Sequence, residues 1–253
     1  MSEEERREFY TTYARYYDRI YASVDYDAQV EFYEQLFRQC GRSRGRRALD
    51  LCCGSGRHTR ALAVRGWRTA GLDLSPQMVR LTRGKDQRVA VVRADLRALP
   101  LRGPFDLVLC SCNSLLESQP LAALWSTIEQ VHAILAPGGV FAFDLTDARI
   151  GEGSPEGQGV YEDGPLRYEV RWVHHAGEPI LHAQVSLRID ERGQTIGFDD
   201  DHHLCAVTIP ELIGILEEVG FDVLPLEDDT DEPRLWNGES LKAILVATRR
   251  GEA

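Results

Sequence analysis

The sequence predicts an α/β fold: a largely parallel sheet with crossover helices, extended late in the chain by an antiparallel β excursion. Three observations predict it. Short apolar runs at 47–52, 69–73, 88–92, 105–110 and 139–143 each precede a helical or loop segment, as in a parallel sheet. After residue 150 the apolar period changes to two over 168–175, 180–189 and 195–208, with Gly177 and Gly193 as turn residues. A helix then returns at 210–219, stopped by Gly220, before strands at 221–225 and 241–248 that flank an acidic loop at 227–232.

The other elements follow in chain order. Residues 4–40 read as helix, with Val30, Tyr33, Leu36, Phe37 and Cys40 at helical spacing and Gly41 as a stop. The basic stretch 42–47 is a solvated connector into the first strand. Ser75-Pro76 caps and opens one helix, and Pro120 opens another carrying Leu121, Leu124, Trp125, Ile128, Val131 and Leu135 on one face. Residues 151–159 form a glycine-rich, flexible stretch, and the excursion occupies 160–209. Its middle strand has an apolar face (Leu181, Ala183, Val185, Leu187, Ile189) and a mixed face (His182, Gln184, Ser186, Arg188). The mixed face can line an acceptor pocket or a subunit interface through which a homodimer forms, and alternation does not choose between them.

Composition removes several classes. With 43% hydrophobic and 27% charged residues the 253-residue chain has material for a sizeable core, and no apolar run reaches the roughly 18 residues of a membrane span. The N-terminal Ser2-Glu3-Glu4-Glu5-Arg6-Arg7 is not a secretory signal, so a cytoplasmic protein is expected. A net charge of −11 disfavours nucleic acid as a partner. The six cysteines contain no Cys-x-x-Cys pair, which removes the usual cysteine zinc signature, and no metal is expected.

The loop that carries chemistry follows the first strand. Asp50-Leu51 runs into Cys52-Cys53-Gly54-Ser55-Gly56 and then a helix, and glycine turns at the carboxyl ends of parallel strands bind nucleotides because backbone can approach the ligand closely. Asp73 lies 23 residues after Asp50, and Asp95 a further 22, so each acid tops one βα unit. A carboxylate at the second strand end can grip a ribose diol, and one at the third can accept from an adenine amine. A phosphate-binding loop is excluded because no Gly-Lys-Ser/Thr follows Gly56, and Thr59 occupies the position where a dinucleotide fingerprint wants Gly or Ala.

With these motifs the chain resembles the class I S-adenosylmethionine-dependent methyltransferases. The first motif of that family is matched by Asp50-Leu51-Cys52-Cys53-Gly54-Ser55-Gly56, the second by Gly71-Leu72-Asp73-Leu74-Ser75-Pro76-Gln77-Met78, and the third by Arg93-Ala94-Asp95-Leu96. Phe105-Asp106-Leu107-Val108-Leu109-Cys110 is similar to its fourth strand, and Leu135-Ala136-Pro137-Gly138-Gly139-Val140 to the turn into its fifth. Cys52 departs from the pattern, since the family more often has glycine there. The resemblance spans about residues 45–148. It implies a Rossmann-like seven-stranded sheet whose last strand runs antiparallel, and S-adenosylmethionine as cofactor with S-adenosylhomocysteine as product. The implied cofactor residues are Tyr17, Asp50, Cys52, Gly54, Ser55, Gly56, Asp73, Leu74, Met78, Asp95, Leu96 and Cys110.

Two features narrow the resemblance to small-molecule members, the N-methyltransferases of deoxyamino sugars and the glycine N-methyltransferase-like enzymes. Seven of the nine tyrosines lie at 10, 13, 16, 17, 21, 26 and 33, and Tyr17-Asp18-Arg19-Ile20-Tyr21 with Asp25-Tyr26 looks like the lid of the sugar enzymes. Phenol rings also attract a sulfonium cation through their faces. The excursion, placed between fifth strand and last helix as in those enzymes, carries Asp201-His202-His203-Leu204; alternation sends the two histidines to opposite faces, and position favours His203 as the pocket-facing one. The implied acceptor residues are Tyr21, Tyr26, Asn113 and His203, with Tyr21 and His203 as catalytic.

The expected domains are an N-terminal helical lid at 1–41, a cofactor core at 42–150 and 210–253, and the excursion at 151–209. The expected reaction is methyl transfer to a small-molecule acceptor by in-line displacement, most simply to an amine nitrogen of a metabolite or natural product, which needs no strong base. The alternative is a hydroxyl or carboxylate oxygen; a hydroxyl would call on His203 or a tyrosine as base. A nicotinamide-dependent oxidoreductase and a noncatalytic cofactor-binding protein are the more distant readings.

Overall fold

The computed structural model describes residue 10 and residues 14–86, 89–117, 120–150, 158–175, 177–191 and 193–251, with backbone alone for Arg15, Asp163 and Glu191. Tyr13, residues 4–9 and most of the glycine-rich stretch, 151–157, lie outside them.

Two helices, α1 (Ala14–Ile20) and α2 (Tyr26–Cys40), precede the sheet. The single helix expected over 4–40 is therefore interrupted at 21–25. The reason is Asp25, whose carboxylate accepts the Ala28 N–H and caps α2 in a non-helical conformation. Then β1 (Arg47–Leu51), α3 (Arg57–Val64), β2 (Arg68–Asp73), α4 (Pro76–Lys85), β3 (Ala90–Arg93) and β4 (Phe105–Cys110) form the first half of the sheet. Ser75 caps α4 by accepting the Met78 N–H, with Pro76 in its first turn. After a short 3₁₀ turn at Ser114–Glu117 come α5 (Leu121–Ile134) and β5 (Leu135–Thr146). On α5, Leu124, Ile128 and Val131 are buried as the pattern requires, but Leu121 is 46% exposed and Leu135 already belongs to the strand.

The excursion consists of β6 (Gln158–Asp163), β7 (Leu166–Val173), β8 (Ile180–Glu191) and β9 (Gln194–Cys205), a four-stranded antiparallel sheet in that order. Its first strand begins within the stretch expected to be flexible, because Gln158 and Gly159 pair with Arg171 and Val170. Thr208, at the end of the expected third strand, instead caps α6 (Ile209–Val219) in a reciprocal pair with Glu211. β10 (Phe221–Glu227) and β11 (Lys242–Arg249) complete the main sheet, whose order is β10-β11-β5-β4-β1-β2-β3. β1 to β5 run parallel and β11 is antiparallel to both its neighbours, as the resemblance implied.

Helices cover both faces. α2 and α3 bury Val30, Leu36 and Leu62 against Ala48, Leu107 and Val246, while α5 and α6 bury Ile128, Val131 and Leu212 against Val108, Phe141 and Leu245. A separate apolar cluster joins Tyr16 and Ile20 of α1 to Leu166, Val185, Leu187 and Phe198 of the excursion, so the N-terminal helix lies under the inner face of the second sheet. No helix among the described residues is long and apolar enough to cross a membrane.

Candidate active site

The loop after β1 has an unusual backbone. Gly54 and Gly56 adopt φ of 52° and 77°, the left-handed region that glycine enters without penalty, and Cys52 adopts 54° although it carries a side chain. A Cβ on Gly56 would lie 2.5 Å from the Thr82 methyl, so α4 passes too close for any other residue. Asp73 organises the loop. One carboxylate oxygen accepts the Gly54 N–H and the other the Ser75 N–H, both at 2.8 Å, tying the glycine turn to the start of α4. Asp50 beneath it accepts from the Thr59 hydroxyl at 2.6 Å, and burial pushes its carboxyl up to about 7. Burial raises Asp73 as well. Asp95, just past β3, forms a bidentate ion pair with Arg97.

At the end of β4 the chain turns through Cys112 and Asn113, with φ of 63° and 57°. Their N–H groups donate to the two carboxylate oxygens of Asp144, on β5, at 2.7 and 2.9 Å. Burial, reinforced by Asp228, pushes the Asp144 carboxyl up to about 6. A narrow cleft between this turn and the glycine loop is lined by Tyr17, Tyr26, Asp50, Cys52, Ser55 and Cys112. Asn113 Oδ1 is buried with no hydrogen-bond partner among the described residues.

α1 closes over the glycine loop. The Asp18 carboxylate accepts from the Ser55 hydroxyl at 2.5 Å and from Arg57 Nε at 3.1 Å, and pairs with the Lys85 ammonium. The Ser75 hydroxyl donates to the Tyr10 carbonyl at 2.6 Å, and the Tyr17 ring lies 3.6 Å from where a Gly54 Cβ would project. This site fits an adenosyl ligand: a glycine turn free of side chains, three acids in register along the strand ends, and an orphaned amide oxygen.

Relatives agree with that chemistry. Residues 48–139 match the family described as methyltransferase domain. These residues form a methyltransferase domain, and the chain has the fold of the class I S-adenosylmethionine-dependent methyltransferases. It is 26% identical over 222 residues to YqeM of Bacillus subtilis (strain 168), a protein named as a methyltransferase, covering 85% of this chain and 87% of that one. It is 29% identical over 131 residues to dTDP-4-amino-2,3,4,6-tetradeoxy-D-glucose N,N-dimethyltransferase of Saccharopolyspora spinosa, about half of each chain (51% and 52%). Among solved structures, CalS10 of Micromonospora echinaspora, an amino pentose methyltransferase with S-adenosylmethionine bound, superposes with a TM-score of 0.74 at 21% identity over 94% of this chain and 96% of that one.

The inner face of the second sheet differs from the sequence expectation at one residue. His202 pairs with Ala183 across the β8–β9 ladder and faces inward; His203 pairs with His182 on the outer face, away from the cleft. His202 Nδ1 lies 3.5 Å from Glu117 Oε1 and its Nε2 3.6 Å from Asp200 Oδ2, and its ring meets the edge of Tyr10 at 5.4 Å. Burial alone would depress this imidazole, but Glu117 and Asp200 outweigh it and hold it above the ordinary histidine value. Tyr10 is in turn 6.3 Å from Tyr17 and so links the cleft to His202. Tyr21 packs against Tyr17 and meets Tyr168 of β7, with the hydroxyls 3.5 Å apart. Burial keeps the phenols of Tyr10, Tyr17 and Tyr21 protonated, which makes them donors and not bases.

Thus Tyr17, Tyr26, Asp50, Cys52 and Ser55 come together at the cleft, with Gly54, Gly56 and Asp73 framing it and Asn113 beside it. Leu74 is 36% exposed at the head of α4, while Met78 and Cys110 are fully buried and Leu96 nearly so. Asp18, Glu117, Asp144 and His202 were missed. Asp18 lies in the lid segment but was given no role there, and Asp144 belongs to no motif; Phe198 and Leu204 share the parity of His202, a signal that could have separated it from His203.

Proposed function

We propose that this methyltransferase N-methylates a small-molecule amine of the amino-sugar class. The observation that carries the reading is His202 held between Glu117 and Asp200 at the end of a tyrosine-lined path from the cleft. An amine arrives as an ammonium ion, which two carboxylates attract, and it reacts only after losing a proton, which an imidazole between carboxylates can take. The named activities of the S. spinosa relative and of CalS10, both on amino sugars, support the same class of acceptor. Natural-product biosynthesis is the corresponding setting.

In this reading Asp73 holds the ribose hydroxyls, Asp95 the adenine amine, and Tyr17, Asp50, Cys52, Ser55 and Asn113 surround the remainder of the cofactor, with Leu74 and Leu96 flanking the base. Met78 and Cys110 support from beneath. When bound, S-adenosylmethionine supplies an electrophilic methyl group that passes from sulfur to the acceptor nitrogen, leaving S-adenosylhomocysteine. The chain's own part is alignment and desolvation, which contributes about 7–11 kcal/mol in well-oriented reactions. α1 and the inner face of the second sheet act as lid and acceptor wall, over the core at 42–150 and 210–253. Tyr21 and Tyr26 orient the acceptor, and His202 replaces His203 as the group that accepts its proton.

The test offers isotopically labelled S-adenosylmethionine with a panel of primary amino sugars and their hydroxyl counterparts. Label in the amine products alone is expected; equal or preferential transfer to oxygen would replace this reading with O-methylation.

A further inference from the structure

We propose that His182, Asp201 and His203 form a binding site for one divalent transition-metal ion of the zinc class, on the outer face of the second sheet. This is separate from the methyl-transfer cleft.

The ladder brings the three side chains together. His182 of β8 and His203 of β9 are directly opposite each other, and Asp201, two residues before His203, projects from the same face. His182 Nδ1 lies 3.0 Å from Asp201 Oδ2, His203 Nε2 lies 3.3 Å from that same oxygen, and the two imidazole rings stand 4.7 Å apart at 72°. Ligand atoms from all three fall within 4.8 Å of one another. Zinc binds nitrogen and carboxylate oxygen at about 2.0–2.2 Å in tetrahedral geometry, which places neighbouring donor atoms about 3.3–3.5 Å apart. Two of the three edges are already close to that spacing, so small side-chain rotations seat an ion between the rings and the carboxylate.

The donor set suits this class of ion. Two imidazoles and one carboxylate select zinc and its neighbours over magnesium or calcium, which prefer oxygen alone. The side chains are 24%, 29% and 21% exposed, so an ion enters from solvent and keeps a coordination position open to water. Asp201 also borders a hollow of about 440 Å³ whose wall includes Glu169, Arg171 and Asp199. Asp199 is engaged by Arg188 at 2.9 Å and Glu169 by Arg167, which leaves the Asp201 carboxylate as the charge that balances the ion. The sequence offered no hint, because His182 is remote from the His202-His203 pair and no cysteine pair is involved.

The experiment titrates the chelator-treated full chain with zinc sulfate in a calorimeter. One ion per chain is expected, with affinity reduced at least tenfold in His203→Gln and in His182→Gln. The controls Cys112→Ser, at the cleft thiol, and His175→Gln, at an exposed histidine off the site, should stay within twofold. Cobalt(II) should give the intense visible absorption of tetrahedral coordination, lost in His203→Gln. Thermal melts without metal verify that both site variants fold. No zinc binding by the wild type at micromolar concentrations, binding unchanged in His203→Gln, or binding lost only in Cys112→Ser would each overturn the site.

Discussion

The Ser55 hydroxyl donates to the Asp18 carboxylate at 2.5 Å, and this contact joins the N-terminal helix to the loop that follows the first strand. Arg57 and Lys85 converge on the same carboxylate and, with the Ser55 hydroxyl, hold it below the usual range against the effect of its burial. On this helix of only two turns Asp18 makes polar attachments to the loop, and Tyr16 and Ile20 make apolar ones to the second sheet.

Replacing Asp18 by Ala should therefore loosen α1 without unfolding the core. Charged hydrogen bonds contribute about 1.5–3 kcal/mol when buried, but this carboxylate is 30% exposed and solvent screening reduces the figure. The expected outcome is faster proteolytic cleavage near residues 14–25 and affinity for S-adenosylmethionine about tenfold weaker, with a melting temperature lowered by only a few degrees. Global destabilisation with unchanged affinity of the folded fraction would make α1 a structural element instead of a lid.

Asp50 makes stability fall as pH rises. Its folded value of about 7 exceeds the unfolded carboxyl value of about 3.9, so the native state binds the proton more tightly. The stability contributed by that proton is fully present below about pH 4, is lost as pH rises toward 7, and is absent above. Asp144, raised to about 6, adds a slope of the same sign. Asp50→Asn keeps the Thr59 hydrogen bond and carries no proton, so the variant should gain on the wild type between pH 5 and 8, by up to about 2.5 kcal/mol if the whole shift is expressed. Urea unfolding at the two pH values measures it, and parallel profiles for the two proteins would contradict the assignment.

Cys52 carries a side chain where φ is 54°, which costs an L-residue roughly 1–2 kcal/mol. Cys52→Gly removes that strain but loses contact with Cys110 and gains about 0.5–1 kcal/mol of unfolded-chain freedom, so the net change should stay within about 1 kcal/mol. Cys52→Val keeps the strain and adds β-branching, and should destabilise by about 2 kcal/mol or more. Denaturant midpoints separate the two. A valine variant as stable as the glycine one would show that the loop relaxes.

Most of the main sheet was legible because its strands are apolar runs bounded by glycine, proline and acidic residues. β1, β2 and β4 fall within a residue of their expected limits. β6 escaped because Gln158, Gly159 and Val160 have no apolar alternation of their own, and only pairing with β7 makes them a strand. The break at 21–25 escaped because tyrosines continue the helical period through a segment whose capping aspartate ends it. At the site, residues belonging to a local motif could be read, while Asp18 and Asp144 act through partners 37 and 31 or more residues away in sequence. Alternation placed His202 and His203 on opposite faces but did not fix its phase, which depends on the partner strand.

His202 provides the sharpest test of the acceptor chemistry. If it takes the acceptor's proton, it must be neutral to act, so turnover should rise with pH through a value above the ordinary histidine pKa of about 6.5, because Glu117 and Asp200 favour the charged ring. His202→Gln preserves a polar group of similar reach but cannot carry a proton. Turnover should fall about 100-fold or more and the inflection should disappear, while calorimetric affinity for S-adenosylmethionine stays within about twofold, since the ring is separated from the cleft by Tyr10. Glu117→Gln should retain catalysis but shift the inflection to lower pH, because the neutral amide no longer stabilises the imidazolium. His203→Gln, on the outer face, should leave both rate and profile unchanged in metal-free buffer. Equal losses in His202→Gln and His203→Gln, or a loss of cofactor affinity that tracks the loss of rate in His202→Gln, would show that β9 acts by holding the fold and not by moving a proton.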